Sequence, residues 1–267
     1  MKKLKFLIVI AIFISVFWGC GKKNETVSVG NNTDTAKVIK DTGSVKNDEN
    51  PCLKFDSLNK KILKRQVKKE EALPELKKLL SDITQYYERA GGKKYTVSDW
   101  VFPLEGYTAS AIGGKNGNGY IPNGYNYFDG DKHTGHPAQD IFIHDTNQDS
   151  KDDNTGNFVT VRAITGGIVI SCENNWDPKS EGRGGNFVWC YSPYDNTSFY
   201  YAHNSEIFVK PGDIVKPGDK IAYVGRTGLN AAPKRSPTHL HLSLFNFKNG
   251  YPEPENFYPE ILKAKTK

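Results

Sequence analysis

From Lys94 onwards, short apolar runs alternate with turn residues. FVTVRAI, GGIVISC, NFVWCYS and TSFYYAH are separated by Gly, Pro, Asn and Asp. Runs of that length, so punctuated, predict short strands and a mainly β fold. The cleanest alternation is THLHLSL at 238–244. Successive strand side chains point to opposite faces, so Leu240, Leu242 and Leu244 share one face and His239, His241 and Ser243 the other. The leucines read as a core face. The two histidines, with Cα atoms roughly 6.5 Å apart at ~3.3 Å rise per residue, could supply one metal ligand and one proton-handling neighbour.

Upstream the period changes. Leu53, Leu58, Ile62 and Val67, then Leu73, Leu76, Leu79, Leu80, Ile83 and Tyr87, recur at helical spacing and predict a helical hairpin or two short helices within 51–92. Pro74 fits the first turn of the second helix and Gly91-Gly92 its end. Ten Lys/Arg against six Asp/Glu between Leu53 and Ala90 make this segment basic. It reads as a packing appendage on the main domain ahead of an independent binding module. Residues 20–50 carry almost no large apolar side chains and read as a disordered linker. Downstream, VKPGD occurs at 209–213 and again at 215–219. Pro at the second and Gly at the third turn position suit type II turns, so each KPGD can reverse the chain sharply.

Charge and the N-terminus narrow the setting. The net charge of +6 (36 Lys+Arg against 30 Asp+Glu) fits nucleic acid or an anionic envelope. No basic stripe interleaved with aromatics and no nucleic-acid motif is present, which sets nucleic acid aside. Lysines at 2, 3 and 5 followed by an apolar stretch from Phe6 to Trp18 form the n- and h-regions of an export signal over 1–19. The stretch is shorter than the ~20 residues of a comfortable membrane span. Gly19-Cys20 resembles a lipoprotein signal, which implies an acylated Cys20 anchoring the chain to a membrane of the cell envelope. In such an oxidising setting Cys172 and Cys190, in neighbouring strand-like runs, could form a disulfide or stand as two buried thiols, and Cys52 would be unpaired.

The chain has six histidines, three of them in DKHTGHPAQDIFIHD. His136 and Asp140 would lie ~13 Å apart on a straight strand. Gly135 and Pro137 instead put His136 in a turn, with Asp140 opening the strand, so the two can converge. Neutral imidazole, one carboxylate and a vacant position suit catalytic zinc, which takes three protein ligands plus water. The third ligand could come from the THLHLSL pair. His133 and His144 read as bystanders, with His133 at most lining the cleft or filling the open metal position.

GHPAQD, YYAHNS, KPGDIVKPGDKIAYVGRTG and THLHLSL together, in order and spacing, resemble the lysostaphin/LytM-like zinc metallopeptidases that cut peptidoglycan cross-links. The resemblance covers roughly Trp100 to Pro259. It implies a compact antiparallel β domain of duplicated hybrid motif type over 95–267, with a metal-bearing groove. It also implies one zinc per chain on His136, Asp140 and His241, and His203 and His239 flanking the metal-bound water as catalytic groups. The partner would be peptidoglycan, and the reaction hydrolysis of its peptide stems or bridges. Without the resemblance, His203 reads as a surface residue, and one of Tyr200 and Tyr201 as core. Asn204 stands where a Leu often follows the isolated His, and 51–92 has no counterpart in the motif set.

Two side readings remain open to test. Asp145, Asn147, Asp149 and Asp153 resemble the start of a calcium loop, but Ser150 replaces the expected Gly and no Glu closes it, so a solvated Asx-rich turn explains the loop slightly better. The double KPGD also suits a lipoyl or biotinyl carrier domain, which would need a modifiable lysine at a hairpin tip, where Lys220 is a poor candidate. A non-catalytic envelope protein binding peptidoglycan or another hydrolase is the rival from a different class, and loss of a ligand would signal it.

Overall fold

The computed structural model describes residues 50–267. The segments read as an export signal, Cys20 and a linker up to 49 lie outside the described residues. Two helices come first, α1 (Pro51–Leu63) and α2 (Lys69–Arg89). Nine strands follow: β1 (Gln139–Phe142), β2 (Thr160–Arg162), β3 (Gly167–Glu173), β4 (Asn186–Ser192), β5 (Thr197–Ile207), β6 (Ile214–Val215), β7 (Lys220–Val224), β8 (His239–Asn246) and β9 (Glu253–Glu255). A one-turn helix α3 (Tyr258–Ile261) closes the order. No described helix is long and apolar enough to cross a membrane.

The helix starts follow local chemistry. Asn50 caps α1 by accepting from the Cys52 amide at 3.0 Å, and Pro51 sits where a missing N–H costs nothing. Helix α2 begins five residues earlier than the position of Pro74 suggests, at Lys69. Pro74 is exposed there, so the Glu70 carbonyl that its nitrogen cannot reach remains open to water. Burial of Ala72 and Leu76 explains the earlier start, because both sides of the proline contribute to one apolar face. At the other end Gly91 adopts φ 74°, and its N–H and that of Gly92 bond back to Glu88 and Tyr87 carbonyls at 3.0 and 2.8 Å.

The strands form one antiparallel sheet in the order β1-β8-β5-β4-β3-β6, with β7 on the far part of β5, β2 on β7, and β9 on β8. The two KPGD turns bracket β6. Gly212 and Gly218 take φ 101° and 86°. The Asp213 and Asp219 amides close the turns on Lys210 and Lys216 carbonyls at 3.0 and 3.1 Å. These are the positive φ values a type II turn demands of its third residue.

Strand alternation divides the side chains between two cores. Leu240, Leu242 and Leu244 of β8 join Val188, Cys190, Phe199 and Tyr201 on one face. Phe245 of β8 lies on the opposite face with Trp189, Tyr191 and Ala202, and this face is covered by α1 and α2. A buried polar network fastens α1 down. Asn59 donates to Ser171 Oγ at 2.9 Å and accepts from Tyr127 Oη at 2.8 Å, while Ser171 Oγ donates to Asp56 at 2.7 Å. Leu53 points away and is 42% exposed; Phe55, at 1%, takes the inward position.

Cys52, Cys172 and Cys190 are free thiols. Cys172 pairs across β3 and β4 with Val188, and Cys190 with Val169, so the two sulfurs sit on different rungs of the ladder. The possible disulfide is therefore not formed. Burial pushes the Cys190 thiol up to about 12. Lys220, the residue a carrier domain would modify, is the first residue of β7 and not a hairpin tip. Its ammonium lies 4.0 and 3.9 Å from the Phe208 and Tyr223 ring centroids.

Candidate metal centre

The site begins with two neighbouring strands. In the β1–β8 register Asp140 faces His241 and Phe142 faces His239. Asp140 and His241 are thus direct cross-strand partners, and the strand period puts His239 on their face. His136 precedes β1 and is pinned by a two-way backbone bridge with Ile121, at 2.7 and 2.8 Å. Gly135 makes this bend possible, since a Cβ there would lie 2.6 Å from the Tyr125 amide. The turn brings His136 Nε2 to 3.1 Å from Asp140 Oδ2, and His241 Nδ1 lies 3.3 Å from Asp140 Oδ1. One donor atom from each of His136, Asp140 and His241 falls within 4.8 Å of the others.

Each imidazole is oriented by a second bond. His136 Nδ1–H donates to the Gly119 carbonyl at 2.9 Å, leaving Nε2 for the carboxylate. His241 turns the other way, with Nδ1 towards Asp140 and Nε2 3.3 Å from Ser243 Oγ. A bond at one ring nitrogen fixes which nitrogen keeps a free lone pair, as metal-ligating histidines require. Burial alone would raise the Asp140 pKa, but the hydrogen bonds from His136 and His241 outweigh it and hold the carboxyl far below the usual range. His241 itself is shifted down, by burial first. The site therefore offers a carboxylate and an imidazole in their ligating forms.

His203 and His239 stand beside this cluster. Their rings are 5.0 Å apart, and His203 lies 5.5 Å from His241. Both donate Nδ1–H to a backbone carbonyl, His203 to Thr227 at 2.9 Å and His239 to Pro237 at 2.7 Å, so both keep Nε2 free. His203 is 5% exposed and not the surface residue that strand TSFYYAH suggests. Burial, then the neighbouring imidazoles, holds it neutral.

A β-bulge delivers His203. The β4–β5 register runs from Tyr201↔Val188 to Asn204↔Asn186, three steps on β5 against two on β4. His203 is the extra residue and takes φ 66°, a left-handed conformation that costs a non-glycine residue about 1–2 kcal/mol. Asn204, where a Leu is common, supports it. Its buried amide donates to the Asn186 and Tyr201 carbonyls, both at 3.0 Å, which a Leu could not do. Thr227 completes the support: its hydroxyl accepts from the Asn186 amide at 2.8 Å and donates to the Asn204 carbonyl at 2.7 Å.

All five sequence-predicted residues line one cleft of about 230 Å³. Tyr201 is core, its hydroxyl accepting from the Ile164 amide at 2.9 Å, whereas Tyr200 lines the cleft. His133 also lines it, and burial followed by the nearby Arg183 lowers its pKa to about 4. His144 is exposed and lies elsewhere, against Tyr107. Phe245 was legible as a cleft residue, since it continues the period of His239, His241 and Ser243. Leu63 and Tyr127 carried no such signal.

The calcium reading of the acidic loop fails. Asp145 accepts from the Asp149 and Ser150 amides at 3.0 and 2.9 Å, Asn147 from Asp149 at 3.1 Å, and Asp153 from Thr146 at 2.8 Å. Their oxygens are occupied by the loop's own N–H groups, the Asx-turn arrangement. Among the described residues Asp145, Asp149 and Asp153 do not gather into a metal-holding group.

Solved structures resemble this chain. Lysostaphin from Staphylococcus simulans is 23% identical over 62% of this chain and 50% of its own length, with a TM-score of 0.36. Its catalytic domain is 27% identical over 51% of this chain and 83% of its own, with a TM-score of 0.33. A zinc-containing peptidase from Vibrio cholerae is 20% identical over 63% of this chain and 41% of its own, with a TM-score of 0.37. The chain thus spans half the length of full lysostaphin. Residues 151–252 match peptidase family M23, a segment that holds His203, His239 and His241 and begins after His136 and Asp140. The match covers that segment of the chain, and the cleft brings its three histidines together with His136 and Asp140.

Proposed function

We propose that the protein is a zinc endopeptidase of the cell envelope that hydrolyses peptide stems or bridges of peptidoglycan. The carrying observation is the convergence of His136, Asp140 and His241 with two imidazoles whose Nε2 atoms are both unoccupied by protein. Two imidazoles and one carboxylate suit zinc's donor preference and leave room for a fourth, non-protein ligand. When bound, zinc would acidify its water and polarise the scissile carbonyl.

The remaining chemistry falls to His203 and His239. The Thr227 and Pro237 carbonyls hold each Nδ1–H, which leaves each Nε2 without a hydrogen-bond partner in the protein. A neutral imidazole there can take a proton from the attacking nucleophile and then, as a donor, stabilise the oxyanion or pass the proton to the leaving amine. His203 is fixed more firmly, by the bulge and by its own N–H bond to the Gly184 carbonyl at 2.9 Å. Zymography on purified walls tests the reading. Clearing by zinc-loaded protein, abolished by chelation and restored by zinc, is expected. No clearing on any of several walls of different cross-link chemistry would count against it.

A further inference from the structure

The cleft does not end at the histidines. It runs on into a chamber walled by Leu63, Tyr125, Tyr127, Trp189, Tyr200 and Phe245. The rings form one continuous surface. Tyr200 lies 6.0 Å from His241 and 5.0 Å from Trp189, and Phe245 lies 5.0 Å from Trp189 and 5.2 Å from Tyr125. Hydrocarbon and aromatic carbon dominate this wall, beside a site that handles charge. An apolar wall lining a pocket beside polar groups suits a ligand that brings an apolar part.

Helix α1 builds part of the chamber. Leu63, its last residue, lines the chamber and packs against the apolar cluster that includes Tyr127, Trp189 and Phe245. The same helix holds the opposite wall through Asn59, which accepts from Tyr127 Oη at 2.8 Å. The loop beyond Tyr127 lies directly on the helix end, because Gly130 takes φ 53° and any Cβ there would collide with the Leu63 carbonyl. The loop continues through Asp131 and His133 to His136, so one short stretch carries both a chamber wall and a member of the metal-ligand cluster.

We propose that this chamber is a side-chain subsite, walled by α1, for a peptide residue with an extended hydrocarbon arm, and that it selects against all-glycine substrates. The inference rests on the peptidase reading above. Glycine has no side chain to bury, and an empty apolar chamber gives it no advantage. A residue with a long alkyl arm gains roughly tenfold or more from such a pocket, since even a single methylene changes recognition by that order.

The test uses the zinc-loaded full chain and pentaglycine peptides in which one position at a time carries norleucine. Binding is measured by calorimetry and hydrolysis by product analysis, separately. In the wild type, norleucine at one position is expected to improve both binding and kcat/KM roughly tenfold or more over pentaglycine. Leu63→Trp, which fills the chamber, and Leu63→Ala, which removes its end wall, should both bring that ratio towards one, with metal content still one per chain. No norleucine preference in the wild type, or a ratio unchanged in both variants, overturns the subsite. If no peptide and no wall is hydrolysed but norleucine still binds better, the peptidase reading fails while the subsite stands. Two variants guard against misfolding of either one, and the melting curve of each reports it.

Discussion

His239 and His241 share a face of β8 yet are wired differently. His241 turns Nδ1 to Asp140, whereas His239 gives Nδ1–H to the Pro237 carbonyl and keeps Nε2 3.8 Å from Asp140. His241→Ala is expected to lose metal and activity together and to melt lower, since two remaining ligands hold zinc poorly and bound metal stabilises the folded state. His239→Ala should keep one metal per chain while turnover falls roughly 10²-fold, the scale of one acid–base or oxyanion group, and His203→Ala should behave alike. Metal analysis of the purified variants decides this, and the opposite pattern would exchange the two roles. Asn59 is a structural residue of comparable leverage. Asn59→Ala strips Ser171 and Tyr127 of buried partners and should cost about 1–3 kcal/mol, measured by denaturant unfolding, without loss of metal.

Elements place these residues through departures from regularity. The bulge in β5 rotates His203 into the cleft, and the bend at Gly135 folds His136 back over β1. The KPGD turns do the same for topology by folding β5, β6 and β7 back on one another. Gly218→Ala is expected to destabilise by about 1–2 kcal/mol, because Gly218 takes φ 86° and a Cβ is strained there. A Cβ at that position meets only the flexible end of the Lys267 side chain, so the backbone alone sets the cost. Chemical denaturation reads the change, and a neutral result would mean that the turn relaxes to another type.

At the scale of the whole molecule the helices are one wall of the fold. They cover Ile168, Ile170, Trp189 and Phe247, and they supply part of the cleft. Deleting 51–92 should therefore expose a broad apolar face and yield protein that binds a hydrophobic dye and melts many degrees lower. Each large side chain uncovered forfeits roughly 1.5–3 kcal/mol. A truncated chain as stable and as active as the full one would show that the helices serve neither the core nor the cleft.

The sequence by itself determined what is periodic or local. The leucine face of THLHLSL, the type II turns of VKPGD, the end of α2 at Gly91-Gly92, and the pairing of His136 with Asp140 across a Gly-Pro bend all depend on neighbours within a few residues, so local sterics specify them. The motif set also placed His203 and His239 beside His136, Asp140 and His241, although the chemistry of strand TSFYYAH alone did not. Tertiary structure decided the rest. The burial of His203 needs a bulge made from an unequal count of residues on two strands, a property of the pair and of neither strand. Whether Cys172 and Cys190 meet is a question of register, settled by strand pairing. The fate of the acidic loop turned on which donors its own folded backbone would bring to its carboxylates. Leu63 reaches the cleft only because α1 lies on the histidine-bearing face of the sheet, and helical periodicity says which side of a helix is buried but not what it is buried against.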